Sequence, residues 1–170
     1  MARRFNISGE LTQQLLAPGD NVKVTGISLT NVQKVSKCKV DLYMEKSLEG
    51  KFYILKNVEL PIGVTLEHDF SINNYVDEYG LYIKLTDGAS FELTGDINPG
   101  NSTTTVPGTN TIFLSEVSVG DEIEVTGETK TVTSITADNS LVVNSTFSTD
   151  LATDTTPTCN PTALVDVIIS

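Results

Sequence analysis

Apolar and polar residues alternate along most of the first ninety positions, and a period of two is typical of strands with one buried face. The clearest case is CKVDLYME, residues 38–45, in which every second residue is apolar and Tyr43 lies on the opposite face. In residues 21–31 the apolar phase changes at Gly26, where we expect a β-bulge. The same alternation predicts further strands in residues 51–57, 58–70 and 80–88.

The chain ends on ALVDVIIS, residues 163–170, which is typical of a buried strand. We predict that it pairs beside the strand at 80–88 and completes the same sheet. Residues 11–20, LTQQLLAPGD, fit a short helix or an edge strand equally well. The sequence therefore predicts an all-β fold, an antiparallel β-sandwich of the jelly-roll or Ig-like kind, built from residues 1–90 plus 161–170.

Residues 91–160 contain a second set of short strands separated by glycines. Such a set fits a small SH3-like β-barrel inserted into the sandwich. TIFLSE, residues 111–116, is predicted to be one of its strands. The expected core of this inserted domain consists of Ile112, Leu114, Val119, Ile123, Val125, Val132, Ile135, Leu141, Val143 and Phe147.

Charge separates the two parts of the chain. Residues 1–90 carry ten Lys/Arg and eleven Asp/Glu, which sum to -1, whereas residues 91–160 carry one lysine and ten acids, which sum to -9. Because phosphate binding needs cations, the acidic charge of residues 91–160 argues against nucleic acid as their partner, and we expect none. No apolar run reaches the length of a membrane span, and the first residues lack an apolar signal segment, so we expect no membrane partner.

Residues that carry catalytic or metal chemistry are sparse. His68 is the only histidine, and it lies in phase with Val64 and Leu66, as an ordinary strand residue would. Cys38 and Cys159 belong to no CxxC or Cys/His cluster, so we expect two reduced thiols. The sequence therefore predicts no catalytic site, no metal and no cofactor.

Two groups of side chains are candidates for binding. Tyr75, Tyr79 and Tyr82 cluster in NNYVDEYGLY, where they fit either a carbohydrate platform or packing at a turn. Arg3 and Arg4 form a short basic N-terminal arm, which we expect to be solvated or to lie against an acidic partner.

The densest charge cluster consists of Asp121, Glu122, Glu124 and Glu128. Glu122 and Glu124 alternate with apolar residues, so we expect a solvated outer face of a strand. A cation site is the alternative, because calcium binds where several oxygens converge on one loop.

Five segments resemble a known group of proteins: LTQQLLAPGDNVKVTGISLTN, the VDLY strand, FYILKNVELPIGVTLE, the LYIKL strand and the closing VDVIIS. In this order they resemble small β-sandwich structural proteins of tailed bacteriophages, found as head decoration, neck or tail accessory subunits. The segment FLSEVSVGDEIEVTGETKTVTSITADNSLVVNSTFS is similar to small β-barrel modules embedded in many phage virion proteins. In simpler relatives the LYIKL strand runs almost directly into the last strand, whereas here the inserted domain intervenes.

The resemblance implies a non-enzymatic structural protein of the virion. We expect a capsid decoration (cement) protein whose sandwich docks on the capsid and whose acidic barrel projects outward or bridges neighbouring subunits. The implied partners are phage structural proteins, in a homo-oligomeric assembly held by sheet edges or by the N-terminal arm.

A neck or tail accessory protein that binds host-surface glycan is the alternative function. It predicts a pocket with converging polar groups near Tyr75 to Tyr82 or at the tips of the inserted barrel. An enzyme is disfavoured because no catalytic constellation is recognisable.

Overall fold

The computed structural model describes residues 2–73, 78–100, 102–148 and 152–170. The chain divides into two compact units, Met1–Asp87 with Ala163–Ser170 and Gly88–Thr162. The first unit is called the sandwich below, and the second is called the insert. The boundaries predicted from the sequence, after residue 90 and before residue 161, lie close to these.

The described residues form short strands and one helical turn, and their bounds are as follows. The strands are β1 (Arg3–Ser8), β2 (Thr12–Leu16), β3 (Lys23–Asn31), β4 (Cys38–Lys46), β5 (Gly50–Leu60), β6 (Thr65–Asn73), β7 (Gly80–Thr86), β8 (Phe91–Glu92), β9 (Asp96–Ile97), β10 (Thr105–Thr109), β11 (Glu122–Val125), β12 (Glu128–Ala137), β13 (Ser140–Val143), β14 (Thr158–Asn160) and β15 (Leu164–Ile169). The helix is α1 (Phe113–Glu116). No helix within the described ranges is long and apolar enough to cross a membrane.

The sandwich consists of two four-stranded antiparallel sheets, in the orders β1-β15-β3-β6 and β2-β7-β4-β5. With β15 counted as the eighth strand, the first strand pairs with the eighth and the second with the seventh. The third likewise pairs with the sixth, and the fourth with the fifth. Nested pairs that alternate between two sheets are the topology of a jelly roll and differ from the immunoglobulin order. The predicted all-β sandwich is confirmed.

The last strand does not pair where the sequence analysis placed it. β15 lies between β1 and β3, whereas both edges of β7 are occupied by β2 and β4. The prediction was wrong because nearness along the chain favoured β7, while the nested pairing sends the eighth strand to the other sheet. Where the chain re-enters the sandwich, the Ala163 N–H donates to Asp87 Oδ1 at 2.6 Å. This bond ties together the two ends of the sandwich that flank the insert.

Two local features of the sandwich follow from its sequence. LTQQLLAPGD, which fitted a helix or a strand, contains the edge strand β2. The predicted bulge at Gly26 is present, because the N–H groups of Thr25 and Gly26 both point at the Ser170 carbonyl, at 2.6 and 3.3 Å. The bulge shifts the apolar phase of β3 so that Val24 and Ile27 both reach the core.

The insert is a seven-stranded sheet in the order β8-β14-β11-β12-β13-β10-β9. Ile97 in the last strand, β9, forms a bridge with Asp154, which lies shortly before β14. The sheet therefore curls around one apolar core, although its SH3-like nature stays a prediction. The buried members of this core are Leu93, Ile97, Val106, Phe113, Val117, Ile123, Val125, Val132, Leu141, Val143, Phe147 and Cys159.

The predicted core of the insert is wrong at TIFLSE. This segment forms the helical turn α1, so Phe113 and Val117, four residues apart, share the buried side. Ile112, Leu114 and Val119 were expected inside and are exposed. A strand in this segment would bury Ile112 and Leu114 and expose Phe113. In the helical turn Phe113 is buried and Ile112 and Leu114 are exposed, so the predicted inner and outer residues are exchanged.

Candidate functional site

The outer face of the sheet β2-β7-β4-β5 carries three tyrosines side by side, which we call the tyrosine row: Tyr82, Tyr43 and Tyr53. Tyr43 lies directly opposite Tyr82 on one neighbouring strand and Tyr53 on the other. Its ring centroid is 5.6 Å from that of Tyr82, nearly parallel to it, and 5.5 Å from that of Tyr53. Cross-strand aromatic pairs of this kind stabilise a sheet and fix the side chains that form them.

Two lysines cover the tyrosine row. Lys51 Nζ lies 4.5 Å from the centroid of the Tyr43 ring and 3.3 Å from its hydroxyl oxygen. Lys56 Nζ lies 4.2 Å from the centroid of the Tyr53 ring. With Lys51 over its ring and with Tyr82 and Tyr53 on its two sides, Tyr43 is almost fully buried although it is on the outer side of the sheet.

Asp41 holds Lys56 in place over the tyrosine row. Lys56 Nζ donates to Asp41 Oδ2 at 2.7 Å, and the Asn57 N–H donates to Asp41 Oδ1 at the same distance. Partial burial acts to raise the pKa of Asp41, but these hydrogen bonds outweigh it and lower the pKa below its usual value. Asp41 therefore remains ionised through the neutral and mildly acidic range.

A groove of about 480 Å³ opens beside the tyrosine row, and we call it the tyrosine groove. Its wall is rigid at Tyr82, whose hydroxyl oxygen accepts a hydrogen bond of 2.8 Å from Gln14 Nε2. The Tyr82 ring also lies so close over Gly80 that a Cβ atom there would come within 2.6 Å of it. The groove is lined by Thr12, Tyr43, Glu45, Ser47, Lys51 and Tyr82, among others.

The structure separates the three tyrosines that the sequence grouped. Tyr82 belongs to the tyrosine row, whereas Tyr79 packs edge-on against Phe52 and donates its hydroxyl to Glu49 Oε2 at 2.6 Å. Tyr75 lies outside the described residues. Tyr43, which stacks on Tyr82, and Tyr53, which packs against Tyr43, were not recognised as candidates, because only strand pairing brings the three together.

Exposed apolar side chains lie at both ends of β5: Leu48 and Phe52 at its start, and Ile62 and Val64 in the turn that follows its end. We call these four residues the edge surface. β5 is an edge strand of eleven residues, and only its last residue, Leu60, is buried. Ile62 and Val64 follow in the turn to β6, where they are 48% and 43% exposed. Ile62 and Val64 are two residues apart on one turn, and this exposed apolar pair is the part of the edge surface best suited to contact with another protein.

A buried asparagine holds the turn that presents Ile62 and Val64. Asn31 Nδ2 donates to the Leu60 carbonyl at 2.9 Å, and the Asn31 carbonyl accepts the Gly63 N–H at 3.0 Å. The Asn31 N–H in turn donates to the Val64 carbonyl at 3.1 Å. The sequence analysis missed Asn31, because nothing in the local pattern distinguishes a buried asparagine from one in a turn.

The acidic cluster of the insert is not one surface. Glu122 and Glu124 are exposed on β11, as predicted for a solvated face. The prediction is wrong for Asp121, which is fully buried and accepts the N–H groups of Ser118 at 2.8 Å and Thr162 at 2.9 Å. The carboxylate serves as an internal acceptor for the backbone N–H groups of two partly buried residues, Ser118 and Thr162.

Glu128, the last member of the acidic cluster, is paired within its own strand. Lys130 Nζ lies 2.7 Å from Glu128 Oε1, and the Ser148 N–H donates to Glu128 Oε2 at 2.9 Å. These two hydrogen bonds lower the pKa of Glu128 to about 2. In the part of the chain that the structure describes, no group of three or more His, Cys, Asp or Glu side chains is arranged to hold a metal ion.

The remaining candidates occupy ordinary positions in the sheets. Arg3 and Arg4 do not form a free arm: both belong to β1, which pairs with β15, and Arg3 Nη1 lies 2.7 Å from Asp20 Oδ2. His68 is half-buried in β6, with its ring centroid 5.8 Å from that of Phe70.

Both cysteines are free and buried, Cys38 in the sandwich and Cys159 in the insert. Burial raises the pKa of the Cys38 thiol to about 11, and the charge of Asp87 adds to the shift. Burial also raises the pKa of Cys159, together with the carboxylate of Asp121, which lies 3.8 Å from its sulfur atom. Neither thiol is therefore a nucleophile at neutral pH.

We expect both thiols to resist alkylation in the native protein. At pH 8 iodoacetamide should modify Cys38 and Cys159 only as fast as each unit opens, whereas the urea-unfolded chain should react at the rate of a free thiol. Peptide mass spectrometry measures the two rates separately. Modification of either cysteine in the native protein at the unfolded rate would contradict the burial described above.

The comparisons with known proteins add no relative. No protein-family model, no curated protein and no solved structure matches this chain significantly.

Proposed function

We propose that this chain is a non-enzymatic structural protein of a tailed-bacteriophage virion, which binds the assembled capsid and stabilises it as a cement protein. The fold is compatible with this role, since jelly rolls recur in viral capsid domains, but a fold alone does not define a function. The observation that carries the proposal is the edge surface, with Ile62 and Val64 presented on a turn that Asn31 fixes from within.

A rigid turn suits a docking role. Two exposed apolar side chains on a mobile loop would lose conformational freedom on binding, whereas a turn anchored by buried hydrogen bonds has lost that freedom during folding. Asn31 makes such an anchor through its side chain and its main chain together. The free energy gained when Ile62 and Val64 contact a partner therefore does not have to offset the ordering of the turn.

Contact is expected through side chains rather than by strand addition at β5. The pairing of β4 with β5 shifts register twice, and Asn57 in β5 has a positive φ of 51°. Bulges of this kind interrupt the row of backbone N–H and C=O groups that an added strand would need. Pairing of a further strand along this edge is therefore disfavoured, and Ile62 and Val64 are the expected contact.

The acidic insert supports a role on a DNA-filled particle. Its charge of -9, from ten acids and one lysine, repels DNA and disfavours self-association of the insert. Stabilisation follows from mass action, because a subunit that binds only the assembled shell adds its binding free energy to that state alone. Internal pressure must then break these contacts before the shell can open.

Binding to capsids assembled without this protein tests the proposal. The wild-type chain is expected to bind in a saturable manner, with occupancy measured by quantitative gel analysis of sedimented capsids. The double variant Ile62→Asp, Val64→Asp should bind at least about tenfold more weakly, because a charge placed in a buried contact costs more than about 1.4 kcal/mol.

Leu11→Asp provides the matched control, since Leu11 is 80% exposed and lies outside the edge surface. This variant is expected to bind like the wild type, and circular dichroism should show all three proteins folded. Failure of the wild type to bind capsids would overturn the cement role and direct the search to isolated necks and tails. Equal loss of binding in both variants would overturn the role of the edge surface.

A further inference from the structure

We propose that the tyrosine groove binds one sugar ring of a neutral glycan. This binding function goes beyond the role in the capsid and does not depend on it. A volume of about 480 Å³ falls within the range of small-molecule sites, which combine aromatic walls with a few placed polar groups. The groove has both kinds of lining.

The aromatic wall is formed before any ligand arrives. Tyr82 is held by its hydrogen bond from Gln14, by stacking on Tyr43 and by its close fit over Gly80. A rigid ring wall costs little conformational entropy on binding, and it offers apolar surface to the C–H groups of a sugar ring.

The polar side chains that line the groove suit a ligand with several hydroxyl groups better than a ligand with one charged group. Thr12 and Ser47 each supply a hydroxyl that both donates and accepts, as every sugar hydroxyl does. The Tyr82 hydroxyl accepts from Gln14 and so keeps its own proton free to donate. Glu45 adds a carboxylate acceptor at the same groove.

Charge balance favours a neutral ligand. The ring face of Tyr43 that would attract a cation already carries Lys51, at 4.5 Å from its centroid. Lys51, the lysine among the described residues that line the groove, has Glu45 at 3.9 Å and the Tyr43 hydroxyl at 3.3 Å, so an anion would compete with these two partners for it. A neutral polyol needs only hydrogen bonds and ring contact, and both are present.

A titration of the full-length protein by heteronuclear NMR tests this inference. The probes are neutral oligosaccharides of glucose, galactose, mannose and N-acetylglucosamine, with phosphocholine and inorganic phosphate as charged comparisons. At least one oligosaccharide is expected to give saturable shifts at the amides of residues 12, 43, 47, 51 and 82. The charged probes are expected to leave these amides unchanged.

Variants connect the shifts to the groove. Ser47→Trp fills the groove from an exposed turn and should abolish binding, while Tyr82→Phe removes one hydroxyl and should weaken it about twofold to tenfold. Tyr79→Phe is the matched control, because its hydroxyl contacts Glu49 instead, and it should bind like the wild type.

Three results would each overturn the assignment. The first is the lack of saturable shifts with every oligosaccharide, and the second is a stronger response of the same amides to phosphocholine or phosphate. The third is sugar binding that persists in Ser47→Trp. Capsid binding is measured separately, and Tyr82→Phe is expected to leave it unchanged. A negative result for glycan binding therefore does not contradict capsid binding, and a negative result for capsid binding does not contradict glycan binding.

Discussion

Replacement of Phe113 by alanine is expected to destabilise the insert by about 3–5 kcal/mol, because truncation of a fully buried aromatic side chain leaves a cavity. Phe113 is the inward residue of the helical turn α1 and one of the largest side chains in the core of the insert. The effect should be confined to the insert, since the sandwich has a separate core.

Each unit contains one cysteine, so alkylation rates report the two units separately. Under native conditions Phe113→Ala should accelerate modification of Cys159 by at least about a hundredfold, at about 1.4 kcal/mol for each factor of ten. Modification of Cys38 should keep its wild-type rate.

Leu114→Ala is the matched control for this substitution, because Leu114 is adjacent and 56% exposed. It should change the free energy of unfolding by no more than about 0.5 kcal/mol. If Leu114→Ala proved the more damaging of the two, the segment would be a strand with its faces reversed, and the placement of α1 would be wrong.

Substitution of Asp121 by alanine is the second change with a large expected effect. It removes the charged acceptor of two hydrogen bonds, from the partly buried Ser118 and Thr162 N–H groups, and hydrogen bonds to a charged group contribute more than neutral ones. We expect a loss of about 3 kcal/mol in the stability of the insert. The alkylation rate of Cys159 should then rise about a hundredfold, and urea denaturation followed by circular dichroism should show a lower midpoint.

Glu122→Ala separates this effect from a general loss of negative charge. Glu122 is the neighbouring carboxylate, but it is exposed on β11. Its removal should shift the stability by about 0.5 kcal/mol or less. Equal effects of the two substitutions would mean that charge, rather than the internal hydrogen bonds of Asp121, governs the stability of the insert.

Alternation was sufficient to predict β3, β4 and β7, because a half-buried strand imposes a period of two on its own residues. β4 illustrates this, with Val40 and Leu42 fully buried and Lys39 exposed. Alternation did not predict β1, whose first residues were taken as a basic arm, and it left β2 open between a helix and a strand. The partner of β15 was not predictable in the same way. Every strand of a sandwich has a similar apolar face, so the pattern defines the element but not its neighbour.

The insert shows a second limit of the sequence pattern. In TIFLSEV the apolar residues fit a strand as well as a helical turn, since a run this short satisfies both periods. Asp121 shows a third limit, because an acid among other acids looks solvated unless its backbone partners are known. The local sequence contains no trace of Thr162, forty-one residues away, which its carboxylate binds.

The candidate sites depend even more on long-range pairing. The tyrosine row joins residues from three strands, and Asn31 fixes a turn near residue 62. Tyr82 was singled out from the sequence, but the other two members of the tyrosine row, Tyr43 and Tyr53, and the anchor Asn31 were not. Alternation alone placed Tyr43 on the outer face, and only the register of β4 with its neighbours shows what it meets there.

Thermal rupture of capsids is the measurement that tests the proposed function most directly. Capsids assembled without this chain would be saturated with the wild type, with Leu11→Asp or with the Ile62→Asp, Val64→Asp variant, and DNA release would be followed with an intercalating dye. The wild type and Leu11→Asp are expected to raise the rupture temperature equally, and the double variant is expected to leave it close to that of bare capsids. A rupture temperature unchanged by saturating wild-type protein would contradict the cement function.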